Sequence, residues 1–365
     1  MQTRCNLQTI NAFMMCRVPM RAVTSDETGD VPMSDAKLDI AFWDYDRTQA
    51  LRDGTVKIEG VDATYHSGRI VTDVFEGMVK DRAYDVSDLG ISYFLRTMDF
   101  DEPPFLALPV FTLHMFRHSA IYINTKAGIK KPEDLVGKRI GELAMYGHDA
   151  GVWPKGILSD EFGVKPEQSR WLIGGIDFPL NPIDWIPQPH PTGMEVEQAA
   201  AGVDLGELLV KGEIDALISA DAPKAYLEGN PAVARMFENY VDVERDYFRR
   251  TNIFPMMHLI VVKKELAEQQ PEVVKAVYEG FKQAKQVCED KIVKGMTFNN
   301  MLTMIPWLSA LIAEDRKVLG DDWWPYGVKR NREALDTFLR YHYEQGLSKR
   351  LMTVEEVFVP YLLED

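Results

Sequence analysis

Leu38-Asp39-Ile40-Ala41-Phe42-Trp43-Asp44-Tyr45-Asp46-Arg47 is the stretch on which the reading of this chain turns. Apolar residues alternate with others from Leu38 into Phe42, the pattern of a buried strand. Directly behind it, two carboxylates, a phenol and a guanidinium crowd into one turn. Open α/β sheets bind ligands in the crevice beyond the carboxyl ends of their strands. A polar cluster at that place reads as a proton-handling pocket for an anion.

Strands and helices alternate on either side of this turn. Strand patterns fall at 38–43, 61–66, 84–89, 105–111 and 120–123, with helical patterns at 48–52, 70–80 and 91–98. The alternation predicts a mainly parallel sheet flanked by helices. A second unit opens at Lys131-Pro132-Glu133-Asp134-Leu135-Val136-Gly137-Lys138-Arg139-Ile140, a short helix turning at Gly137 into a strand. The spacing predicts a helix over 149–162 with Pro154 in its first turn. Residues 176–197 are rich in Pro and Gly and read as a long surface loop. A helix at 203–211 and strands at 214–219 and 254–262 follow, then mainly helical sequence to Tyr343. Tyr122 and Leu259 lie on apolar strands that bracket the middle unit, as hinge strands between two lobes. The division predicted is an N-terminal extension over 1–37, a first lobe from 38–125, a second lobe over 126–257, and a return strand with C-terminal helices over 258–365.

Of the 365 residues, 46% are hydrophobic and 27% charged, which fits a globular chain long enough for two domains. The net charge of -15 disfavours nucleic acid, whose phosphates need a basic face. A small anion remains compatible, because a local field can oppose the global one. Cys5, Cys16 and Cys288 form neither a CxxC pair nor a disulfide framework, so a reducing, cytoplasmic setting is expected. Met1 to Pro32 holds Arg4, Arg17 and Arg21 but no continuous apolar core of a secretory signal, and Met33-Ser34-Asp35 would serve as a start. The expectation is a disordered or upstream-start extension rather than an export signal. No segment approaches the roughly 20 apolar residues that span a bilayer.

Several short stretches carry candidate chemistry. In the 43–47 turn, Asp44 or Asp46 moves a proton and Arg47 grips a carboxylate, or an Asp–Arg pair merely fixes the turn. Arg117 and His118, just before an apolar strand, suit an anion. Gly147-His148-Asp149 opens a long helix whose N-terminus favours negative charge, with His148 placed as acid or base. Leu89-Gly90-Ile91-Ser92-Tyr93 is a second such N-terminus, and Ser219-Ala220-Asp221 a third. Arg250 precedes the return strand and His258 lies on it, both near the cleft floor; the plainer alternative is a solvated arginine pair and a core histidine. The seven histidines show no metal-ligand spacing, and neither a GxSxG elbow nor a Walker loop is present. No cofactor is called for; a divalent metal held by remote His and Asp side chains stays open.

Taken together, WDYDR at 43–47, MFRHSAIYIN at 115–124, DLVGKRIGE at 134–142, AGVWPKGIL at 150–158, GEIDAL at 212–217, RRTNIFPMMH at 249–258 and GDDWWPYG at 320–327 resemble the 4,5-dihydroxyphthalate decarboxylase family. The resemblance covers roughly 38–352, with Asn252 standing where a glycine is expected. It implies a two-lobed fold of the type 2 periplasmic-binding-protein kind. It also implies loss of one carboxylate from an aromatic dicarboxylate, giving protocatechuate and CO2. Such chemistry needs an acid near a ring carbon, a base near the para phenol and a cation for the spectator carboxylate. On that footing Asp46 and His258 transfer protons, with His148 as second choice. Arg47, Arg117 and Arg250 hold carboxylates, Trp43, Tyr45 and Tyr93 sandwich the ring, and Asp44, Ser92 and His118 also bind the substrate. The implied partner is a small aromatic carboxylate, and a homo-oligomer is compatible. The runner-up is a non-catalytic solute-binding protein for an aromatic acid. The pyrimidine-precursor synthases of thiamine biosynthesis share the fold but carry a cysteine-rich iron motif that three scattered cysteines do not supply.

Overall fold

A computed structural model describes residues 35–178, 180–299 and 301–365. The expectations for Cys5, Cys16 and the stretch up to Ser34 lie outside the described residues. The first four strands are β1 (Ala36–Ala41), β2 (Val61–His66), β3 (Val86–Gly90) and β4 (Phe105–His114). The next six are β5 (Ile121–Asn124), β6 (Arg139–Leu143), β7 (Arg170–Gly174), β8 (Val196–Gln198), β9 (Ala216–Ile218) and β10 (Val233–Arg235), and β11 (Met256–Lys263) closes the series. They build two sheets, ordered β2-β1-β3-β11-β4 and β10-β5-β9-β6-β7-β8.

Both sheets are mixed. β1 runs parallel to β2 and β3, and β6 parallel to β7 and β9. The strands at the two crossings, β5 and β11, run antiparallel to their neighbours. They are not themselves shared between sheets: the chain crosses at 115–120 and returns at 252–255. Met115 N–H donates to the Pro255 carbonyl at 2.9 Å, so the two crossings run side by side.

Seven helices matter for the site: α1 (Val71–Asp81), α2 (Ile91–Thr97), α3 (Asp149–Phe162), α4 (Tyr240–Thr251), α5 (Pro271–Thr297), α6 (Leu308–Leu319) and α7 (Val328–Glu344). α1 buries Val74, Phe75 and Met78, the spacing read from the sequence. α3 begins at Asp149 as expected, but Pro154 lies in its second turn rather than its first. Residues 149–158 are all buried, so packing offsets the lost backbone hydrogen bond. Trp153 packs against Phe338 of α7, with ring centroids 5.4 Å apart. Residues 176–197 are largely irregular, yet Ile186 is buried within them. Among the described residues no helix is long and apolar enough to cross a membrane.

Candidate active site

β3 is buried from end to end, and in its middle stands a carboxylate, Asp88. Tyr45, in the turn behind β1, places its hydroxyl 2.8 Å from Asp88 Oδ2 and 2.9 Å from His258 Nδ1. Thr112 on β4 donates its hydroxyl to Asp88 Oδ1 at 2.5 Å. His258 sits on β11 where the register with β4 slips on both sides of it, and such an irregularity re-aims a side chain. Its Nε2 has no hydrogen-bond partner among the described residues, and Phe75 meets the ring edge-on at 5.0 Å. Burial pushes the Asp88 carboxyl up to about 6, against the pull of Thr112, Tyr45 and Arg47. Burial, then the charges of Arg117, Arg47 and His148, pull His258 down to about 3, so its imidazole is neutral. Arg47 lies between the rings of Tyr45 and Trp324, at 4.4 and 4.3 Å, and donates Nε–H to the Thr112 carbonyl.

The second sheet brings its own buried network. Glu142 at the end of β6 accepts from Lys155 Nζ at 2.8 and 2.7 Å and from the Gly147 N–H at 2.9 Å. The same carboxylate lies 3.3 Å from His148 Nδ1, while His148 Nε2 is buried without a partner. Burial pushes Glu142 up, but Lys155 and His148 more than offset it and hold the carboxyl below its usual range. A Cβ at Gly151 would lie 1.8 Å from Glu142 Oε1, so α3 can pass the carboxylate only with a glycine there.

Contacts between the two halves meet at the start of α3. Asp149 accepts from the Ser92 backbone N–H at 2.5 Å, and the Ser92 hydroxyl donates to the Gly147 carbonyl at 2.5 Å. Burial pushes the Asp149 carboxyl up to about 7. Arg96 on α2 donates to the carbonyls of Tyr146 and Pro187. Arg117 is 2% exposed, and among the described residues its side chain makes one hydrogen bond, Nε–H to Met257 Sδ at 3.2 Å. No carboxylate among the described residues pairs with its guanidinium, and burial pulls it down to about 10 despite the charges of Asp149 and Glu244.

The expected residues divide accordingly. Tyr45, Arg47, Arg117, His148 and His258 come together, their charges felt at His258. Tyr93 is buried beside them, stacked at 5.5 Å on Trp185 of the irregular 176–197 stretch. Ser92 joins the halves through its backbone and hydroxyl, which leaves it no free donor. Asp46 is turned outward, 68% exposed, and accepts from Arg47. Asp44 also faces solvent, 3.6 Å from Arg52. Trp43 is partly exposed, edge-on to Tyr45. His118 is a core residue between Phe237 and Tyr247, with neither ring nitrogen hydrogen-bonded. Arg250 is half-exposed on α4, held by Asp246 and Glu161 at 2.7 Å each, and does not join Arg47 and Arg117. Among the described residues no group of three His, Cys, Asp or Glu side chains is placed to hold a metal ion.

No family model matches the chain. A 4,5-dihydroxyphthalate decarboxylase of Comamonas testosteroni is 34% identical over 332 residues, 91% of this chain and 99% of that one. Another, of Pseudomonas putida, is 31% identical over 217 residues, 60% of this chain and 83% of that one. The chain belongs to the 4,5-dihydroxyphthalate decarboxylase family. It is a decarboxylase, a carboxy-lyase, and not the non-catalytic binding protein of the runner-up reading. The periplasmic sulfonate-binding protein of Methylobacillus flagellatus KT superposes with a TM-score of 0.54 at 14% identity, over 91% of this chain and 94% of that one. That likeness shows the periplasmic-binding-protein-like fold, on which this decarboxylase builds its site.

Sequence reasoning passed over Asp88, Thr112, Glu142, Lys155 and Trp185. Two of them had a signal. Glu142 is the single acid of its strand, and Asp88 stands at its strand's centre between Val86 and Leu89, where a carboxylate is costly without partners. Trp185 had none, since an irregular stretch carries no period to say which side chain turns inward.

Proposed function

We propose that this decarboxylase converts 4,5-dihydroxyphthalate to protocatechuate and CO2 by protonating a ring carbon between its two lobes. The observation that carries the reading is Arg117: a buried guanidinium without a carboxylate partner, beside two neutral imidazoles. Arg117 holds the spectator carboxylate of the substrate, a charge-assisted contact that a carboxylate fills bidentately. His148 has its Nδ1 turned to Glu142, so its bare Nε2 accepts the proton of the phenol para to the departing group. Electron density then rises at the ring carbon, and His258 delivers a proton to it from Nε2. The C–C bond to the carboxylate breaks, its electrons restore the aromatic ring, CO2 leaves, and His148 Nε2 returns its proton to the phenolate oxygen. Phe75, Tyr93 and Trp185 supply the apolar wall that favours loss of charge from the departing carboxylate. General acid–base steps of this kind contribute about 10²–10⁴-fold each.

The protein is incubated with 4,5-dihydroxyphthalate, with and without chelator, and protocatechuate is followed by absorbance. Turnover by the wild type, lost in His258→Ala with the fold intact by circular dichroism, is the expected result. A wild type that binds the compound without releasing CO2 overturns the reading. The same proposal places the enzyme in the cytoplasm, acting on a diffusing small molecule, which cell fractionation tests.

A further inference from the structure

We propose that Asp88 is the source of the proton that reaches the ring carbon, handed on through Tyr45 and His258 in one relay. This rests on the ring-protonation reading above and goes beyond it in naming where the proton comes from. A neutral imidazole is a weak acid unless its other nitrogen gains a proton as Nε2 gives one up. The hydroxyl facing His258 Nδ1 is that of Tyr45, at 2.9 Å. Tyr45 cannot be the final source, because burial and the neighbouring Asp88 raise its phenol well above the ordinary value. Its other neighbour is Asp88 Oδ2, 2.8 Å away. Asp88 is wholly buried, faced by Thr112 from β4, Tyr45 and Arg47 from the turn after β1, His258 from β11 and Tyr326 from the segment before α7. Burial holds it up at about 6, near enough to neutrality to carry a proton.

The relay has two resting arrangements. With Asp88 protonated, its hydroxyl donates to the Tyr45 oxygen, the phenol donates to His258 Nδ1, and Nε2 carries the proton. With Asp88 ionised, Tyr45 donates to Asp88, His258 Nδ1–H donates to Tyr45, and Nε2 is bare. Delivery converts the first into the second. The Nε2 proton forms the new C–H bond, the Tyr45 proton moves to Nδ1, and the Asp88 proton moves to Tyr45. Asp88 is left as a carboxylate, and one proton from solvent resets it, matching the one proton consumed when a carboxylate is replaced by hydrogen. Tyr45 and Asp88 are positioning residues here, since of these three only His258 reaches the substrate.

The full chain and its Tyr45→Phe and Asp88→Asn variants are compared in two measurements. Imidazole 15N shifts of His258 are followed without substrate between about pH 4.5 and pH 7.5. The wild type should pass from the Nε2–H to the Nδ1–H tautomer around pH 6, and Tyr45→Phe should show no such change. In turnover, wild-type kcat should fall as pH rises through about 6. Both variants should lose about 100-fold in kcat with KM little changed, and lose that pH dependence. A wild-type tautomer that stays fixed across the range overturns the relay. So does a Tyr45→Phe enzyme that keeps more than half its kcat, a variant in which loss of one hydroxyl spares the packing. A tautomer switch in a wild type that releases no CO2 overturns the substrate reading instead and leaves the proton wire standing.

Discussion

Lys155→Met should be among the most destabilising single changes in this protein. Lys155 and Glu142 are 1% and 0% exposed, and the ammonium lies 2.8 and 2.7 Å from the two carboxylate oxygens. Methionine fills much of the same volume but leaves Glu142 charged, buried and short of its cation. Removing one partner of a buried pair costs about 3–5 kcal/mol, more than the pair itself contributes over an apolar replacement. The double variant Glu142→Gln/Lys155→Met should therefore recover most of the loss. The pH dependence has a definite sign. In the wild type Glu142 titrates below its usual range because of Lys155 and His148. In Lys155→Met, only His148 and the Gly147 N–H still oppose burial, and the carboxyl should rise above its unfolded value. A raised folded value gives stability that is present at low pH and lost as pH rises through it. Burial brings Lys155 down to about 8, so the pair is fully charged only below that; the deficit against wild type should thus be small near pH 5 and full, about 3–5 kcal/mol, near pH 7. Urea unfolding followed by tryptophan fluorescence at the two pH values measures it. A deficit under about 1 kcal/mol at pH 7, or one that grows on acidification, refutes the idea that this pair is a charged and mutually dependent unit.

Arg117→Met should raise the unfolding midpoint of the substrate-free protein, because it removes a desolvated charge, while KM rises at least about 10-fold for the lost charge-assisted contact; thermal shift and steady-state kinetics read the two effects separately. Asp46→Asn and Arg250→Ala should each leave kcat and KM within about twofold and stability within about 1 kcal/mol, since both side chains are engaged at the surface; a large kinetic loss in either would restore them to the site. Gly90→Ala should push Asp149 off Ser92, because the new Cβ would sit 2.2 Å from Asp149 Oδ2 and 2.7 Å from Tyr93. A stability loss of about 1–3 kcal/mol with a lower kcat/KM is expected from unfolding and rate measurements.

Local periodicity carried far in this chain. The strand at 61–66 and the helix at 149–162 have the bounds their patterns give, the strand through its alternation and the helix, buried on all sides over 149–158, through its length. The two sheets were legible as alternation, but not the antiparallel crossings, which depend on where the chain re-enters a sheet. At the site, the 43–47 turn was found from the strand before it. Which of its side chains turn inward was not: Tyr45 and Arg47 go in, Asp44 and Asp46 out, and a turn has no period to decide this. Arg250 had a readable sign of its surface position in Asp246, four residues earlier on an amphipathic helix. His258 and His118 looked alike in sequence, one on an apolar strand and the other just before one. Only the third dimension separates a ring facing Tyr45 and Asp88 from one packed between two aromatic side chains.

The strand order of the first sheet also fixes a sequence of assembly. β4 joins β3 only through β11, whose last residue, Lys263, follows the whole of the second sheet in the chain. A ribosome must therefore release β5 through β10 before the first sheet can close. The inserted half has all its strands between Ile121 and Arg235, so these can pair earlier, while its helix α3 still waits for α7 to cover it. Until then β3, with Asp88 in its centre, has an open edge, and that interval is when this chain is most exposed to chaperones and to mispairing.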